Sequence, residues 1–340
     1  MQETHNLISR FQSLFRRLYF AQPRELGKRL GRFTRSETIL ILIAAGIGIA
    51  TGGVILLFNW SVEVAGDNFL SLFALSQRNE IWEFFLIPLI PAFGGLLVGV
   101  IQTYLFKETS GHGIPEVILA SRFARGHIRR RVILQKLATG ALSIGSGGGG
   151  GREGPIVHVG AAVGVGIAHL LRLTQDQSRT LIACGAAAGI SGIFNAPMGG
   201  VMFVLEVILG DFRLKTFTPV VVSAVTATAL TRNAYGSFTL ISAPTGFHID
   251  MREYLLFAIL GVVIGFAAMY FTRVIVFVDQ KRHLLKSFPV ALRPAIGGLL
   301  AGIFILFLPE LMEQTYRPVN QALHASLPIW MLLTIAALKP

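Results

Sequence analysis

Gly145-Ser146-Gly147-Gly148-Gly149-Gly150-Gly151-Arg152-Glu153-Gly154-Pro155 stands between two apolar stretches, and its reading decides the architecture. Pro155 has φ pre-set for a first helical turn and no N–H to leave unsatisfied, so the spacing predicts a helix starting at about Glu153 and running through the uncharged residues 154–171. The glycines before it let the backbone take positive φ and approach a small ligand closely. A helix N-terminus carries roughly half an elementary positive charge and free N–H groups, which suits an anion. This one carries its own carboxylate, Glu153, so the stretch reads as an anion site contested by a tethered, protonatable anion.

The chain around it belongs in a membrane. Of 340 residues, 53% are hydrophobic and 14% charged, well below the roughly 25% charged of a soluble domain. Residues 38–62, 84–106, 180–205, 254–272 and 318–338 hold no Asp, Glu, Lys or Arg, and most reach the ~20 residues that cross a bilayer. Runs 154–171, 216–231 and 294–309 are shorter and interrupted by Gly or Pro, as broken or re-entrant helices lining a cavity are. The class is an all-α polytopic membrane protein. The net charge of +12 flanks the apolar spans instead of forming a soluble basic domain, so it predicts loops on the inner face rather than a nucleic-acid partner.

Residues 1–35 read as a cytoplasmic, basic amphipathic helix, with Leu7, Ile8, Phe11, Leu14, Phe15 and Leu18 at helical spacing between arginines. From a cytoplasmic N-terminus the first span runs outward and the second, 84–106, returns. Gly111-His112-Gly113-Ile114-Pro115 then opens a short helix ending in the basic cluster from Arg122 to Arg131. Both its ends lie on the inner side, so it should dip in and come back. Lys136 follows in apolar sequence, as either a functional intramembrane charge or a structural counter-charge. A third break, Gly192-Ile193-Phe194-Asn195-Ala196-Pro197, precedes Glu206. Three breaks, one holding an acid, point to an ion site. Cys184 is alone, and the eight histidines show no metal-ligand spacing; neither a metal nor a cofactor is expected.

A repeat joins the two halves. Residues 91–99, Pro-Ala-Phe-Gly-Gly-Leu-Leu-Val-Gly, recur at 294–302 as Pro-Ala-Ile-Gly-Gly-Leu-Leu-Ala-Gly, identical at seven of nine positions. Gly48, Gly52 and Phe58 find counterparts in Gly261, Gly265 and Phe271. Internal symmetry of this kind marks a channel or transporter with its site between related halves. Residues 36–234 form the first repeat with the anion-site motifs, and 251–340 begin a second. At an offset of 203, the counterpart of Glu153 would fall at about position 356, past Pro340. The second repeat is therefore expected to be incomplete.

The three motifs, in this order and spacing, resemble those of the CLC family of chloride channels and chloride/proton exchangers, and Gly151-Arg152-Glu153-Gly154-Pro155 is the most specific of them. The resemblance implies an inverted-repeat fold of broken, re-entrant helices. It further implies a homodimer in the full-length protein and voltage-gated passage of chloride or other small anions. Glu153 takes the place of the gating glutamate: ionised, it occupies the anion position, and protonated, it yields. Gly113, Ile114, Gly154, Pro155 and Ile156 take the place of the anion-binding backbone, and His112 stands where the family usually has serine. Its imidazole either donates to the anion or simply faces water. Arg152 either concentrates anions at the entry or forms an ion pair. Val207 occupies the position of the exchangers' inner proton glutamate and cannot titrate, which favours a passive channel over an antiporter. Glu206, one residue away, is assigned a packing role. The elements that complete the family's anion site would lie beyond Pro340, so residues 1–340 alone are expected not to conduct. An intramembrane enzyme using Glu153 or His158 is a distant alternative, lacking a nucleophile or metal constellation.

Overall fold

The computed structural model describes residues 37–76, 80–106, 113–122, 128–129, 131–210, 212–236, 251–281, 287–307, 317–324, 328 and 330–331. The amphipathic helix expected within 1–35 lies outside them, as do Gly111 and His112. Six of the described helices are long and apolar enough to cross a membrane.

Helix α1 (Glu37–Ser76) runs from what we term the near face to the far face. It is 40 residues long, so at 1.5 Å per residue it outreaches the ~30 Å hydrocarbon layer. The helix continues past Glu63 and Asp67, where the uncharged run stops. Helix α2 (Glu80–Val100) returns, ending in a π-helical turn at Ile101–Phe106. Then come the short α3 (Ile114–Arg122), α4 (Arg131–Gly145), α5 (Glu153–Leu170) and α6 (Gln175–Phe194). Helix α7 (Pro197–Phe203) passes into a π segment at Val204–Leu209, and α8 (Leu214–Tyr235) follows. Next come α9 (Met251–Lys281), α10 (Arg293–Phe307) and α11 (Arg317–Leu323).

Small residues set the packing, as they must where lipid is as apolar as the helix interface. Helices α5 and α6 run antiparallel with backbone almost on backbone. A Cβ at Gly160 would collide with the Gly185 carbonyl, one at Gly185 with the Gly160 carbonyl, and one at Gly164 with the Leu181 carbonyl. Around this seam lie Val157, Ala161, Val165, Leu181, Cys184 and Ala187, all fully buried. Gly48 and Gly52 do the same for α1 against α8, facing Ser223–Thr226 and Ala227–Leu230. Their second-half counterparts, Gly261 and Gly265, have open space where a Cβ would sit, and α9 exposes Leu255, Phe257, Leu260, Ile264 and Phe266 around its circumference.

The repeated motif packs against itself. Gly95 faces the Pro294 carbonyl, and its equivalent Gly298 faces the Pro91 carbonyl; Gly99 faces Ala291, and Gly302 faces Pro88. Every contact maps onto another when the halves are exchanged, and the partner's number falls as the first one's rises. Helices α2 and α10 are thus antiparallel and related by a local two-fold axis perpendicular to them, the reciprocity of an isologous contact. The repeat is therefore inverted, which sequence similarity alone could not establish.

Candidate functional site

The glycine run ends where expected. Arg152 is the N-cap of α5, without a side-chain cap, and Glu153 opens the helix. Gly113 has φ +66, a left-handed conformation that disfavours any side chain, and a Cβ there would lie 3.3 Å from both Cα and the carbonyl oxygen of Gly154. The N-termini of α3 and α5 therefore touch. Helix α3 is nine residues long, about 13 Å, and cannot cross a bilayer. It starts beside Gly154 and ends at the near face, where the Ser121 hydroxyl donates to the Ile208 carbonyl at 3.3 Å. Two positive helix ends thus converge inside the layer, the geometry that favours an anion.

In α3, Pro115 has no N–H and the Val117 N–H closes the first turn on the Gly113 carbonyl at 3.3 Å, leaving the Ile114 end of the helix to face Gly154. In α5, the Ile156 N–H bonds the Arg152 carbonyl at 3.2 Å, so an anion would share that donor, whereas the Gly154 amide precedes the first helical bond. Pro155 packs toward Gly140 of α4. The Glu153 carboxylate folds back over Gly151, whose missing side chain leaves it room. His112, also expected at the anion position, lies outside the described residues.

Arg152 donates from Nη1 to Asn59 Oδ1 on α1 at 3.3 Å. Tyr235 at the end of α8 and Glu63 lie close by. The arginine thereby ties the glycine loop to the far-face ends of α1 and α8, next to an acid.

Behind the two helix ends lies a cluster with a member that the motifs did not reveal. Glu116, in the first turn of α3, brings Oε2 to 3.7 Å from Nε2 of His158 on α5. His158 is fully buried, and neither its ring nitrogens nor that Glu116 oxygen has a hydrogen-bond partner among the described residues. Lys136 of α4 stands within electrostatic reach of both. The sequence signal for the cluster was an acid right after Pro115 and a histidine within an apolar helix.

The third break joins α6 to α7. Asn195 caps α6 in the left-handed conformation at φ 53, and Gly192 lets Ile55 and Thr231 approach the backbone. It is packed against α1 and α8, and Ile193 shares a buried cluster with Ile55 and Ile156, the latter two residues past Gly154. Val207 is 38% exposed on the π segment of α7. Glu206 beside it is exposed as well, instead of packed within this chain as expected, because the wider π turn puts both on one open face.

Opposed repeats and helix ends meeting between apolar spans make this a polytopic membrane protein with a candidate anion site. The family model described as voltage gated chloride channel matches residues 94–340; the chain belongs to that family. It is 34% identical over 254 residues to a putative chloride channel protein, ClcB-like, of Ralstonia nicotianae, covering 73% of this chain and 58% of that protein. It is 30% identical over 286 residues to the H(+)/Cl(-) exchange transporter ClcA of Vibrio vulnificus, covering 80% of this chain and 60% of that protein. The chain thus spans about three fifths of the length of these relatives. Among solved structures it is similar to a slow cyanobacterial Cl-/H+ antiporter, with TM-score 0.77 and 25% identity over 88% of this chain and 71% of that one. A CLC-type fluoride/proton antiporter, at TM-score 0.68 and 23% identity over 89% of this chain and 75% of that one, shares the fold.

Proposed function

We propose that the chain contributes to a transmembrane pathway for chloride, with the anion held where α3 meets α5 and with Glu153 as the gate. The observation carrying this reading is the contact of Gly113 with Gly154 at two converging helix N-termini, one of which bears the carboxylate. Ionised Glu153 competes for the positive site; protonated, it loses that attraction and chloride replaces it. Gly113, Ile114, Gly154, Pro155 and Ile156 line the anion position, with His112 preceding Gly113. Lys136 and Arg152 add positive potential, moderated by Glu116 and Glu63. Residues 36–234 supply one wall and the chain from 251 begins the other. The N-terminus is cytoplasmic, which makes the near face the inner one, and the full-length protein is a homodimer.

Passive conduction is the preferred mode, because Val207 cannot carry a proton to Glu153 from the inner side. Antiport is the second reading, supported by the relatives named as Cl-/H+ exchangers. Liposomes carrying the full-length protein separate them. Under a chloride gradient the channel reading expects no uphill proton movement; sustained uphill movement would replace it with exchange.

A further inference from the structure

At the near face, remote from Glu153, the ends of four elements enclose a cavity of about 680 Å³. It is bounded by the first turns of α1, α6 and α8 and by the end of the π segment after α7. That volume falls in the range of small-molecule sites, roughly 300–1,000 Å³. Three cations line it, Arg179, Arg213 and Lys215, against one acid, Asp176. Leu40, Ile41 and Leu214 supply an apolar wall.

The cations are held differently. Arg179 of α6 donates from Nη2 to the Leu209 carbonyl at 2.9 Å, which fixes its guanidinium. Its Nε is buried and has no hydrogen-bond partner among the described residues, a costly condition for a charged donor. Arg213 and Lys215 flank the start of α8 and are exposed. Helix α8 begins at Arg213 without a side-chain cap and without an acid in its first turn. By contrast, α6 starts with a complete capping box between Thr174 and Gln177 and with Asp176 in its first turn. Among the described residues the positive end of α8 thus lacks the side-chain cap and first-turn acid that α6 has. Asp211, nearby in sequence, lies outside the described residues. Beside the cavity, Leu214 is 77% and Phe212 58% exposed, an apolar rim next to the cations.

We propose that this cavity binds a phosphate group, carried by the head of an anionic lipid or by a small soluble phosphate. Fork-shaped guanidinium donors and a helix N-terminus match phosphate oxygens, and the apolar wall accommodates the start of an acyl chain. The site is separate from the anion pathway and does not depend on it.

The test is native mass spectrometry of the protein released from nanodiscs of phosphatidylcholine mixed with phosphatidylglycerol, with inorganic pyrophosphate as the ligand in a second arm. The wild type should retain phosphatidylglycerol over phosphatidylcholine. At roughly fivefold per cation, Arg213→Gln with Lys215→Gln should lower that retention roughly 25-fold. Lys215→Arg should preserve it, and Arg232→Gln, at the other end of α8, should leave it unchanged. Pyrophosphate binding that the double variant abolishes, without lipid preference, would assign the site to a soluble phosphate. Retention unmoved by the double variant, or binding of neither ligand by the wild type, overturns the proposal.

Discussion

Replacing Glu153 with Gln should leave chloride flux that no longer responds to external pH. In the wild type the carboxylate stands at the first position of α5 with its oxygen over Gly151, next to the position where two helix ends favour negative charge. Raising the pH ionises it and strengthens its hold, so flux should fall as pH rises. Control by one proton limits the change to about tenfold per pH unit. Glutamine has nearly the same shape but no charge to gain or lose, so the variant should pass chloride at the open level throughout. The readout is chloride efflux from liposomes carrying the full-length protein, compared at external pH 4.5 and 7.5. A variant with the wild-type pH response would remove Glu153 from the gate.

The second large effect concerns the seam between the repeats. Gly95→Val and Gly298→Val each drive a branched side chain into a backbone carbonyl, of Pro294 and Pro91 respectively. Backbone on a packed helix cannot swing aside as a long side chain does. Each variant should therefore lose about 3 kcal/mol, the upper end of ordinary overpacking, or more. The local two-fold makes a sharper demand, because Gly95 and Gly298 occupy equivalent places in one contact: their losses should be similar. Thermal unfolding of the purified variants in one detergent measures both. A large loss for one and none for the other would contradict the two-fold seam.

Much of this was legible in the residues. Pro155 and the glycines before it located the start of α5, and Gly113 with Pro115 located α3, because those residue types leave the backbone few alternatives. The repeat was legible too, but its inversion became visible only through the reciprocal contacts of Gly95, Gly99, Gly298 and Gly302. Other features depended on where distant segments meet. That Gly192 faces Ile55 and Thr231, on α1 and α8, could not be read from its own stretch. Glu116 and His158 belong to different helices, and no local pattern announces that they face each other. Helix α1 outran its apolar stretch because hydropathy marks where a bilayer ends, not where a helix does.

The most direct measurement of the central claim is a crystal of the full-length protein grown or soaked in bromide, which scatters anomalously and substitutes for chloride. A bromide peak is expected within hydrogen-bonding distance of the backbone amides around Gly113 and Gly154, strengthened in Glu153→Gln, where no carboxylate competes. Bromide bound elsewhere in the membrane layer, with that junction empty in both proteins, would contradict it.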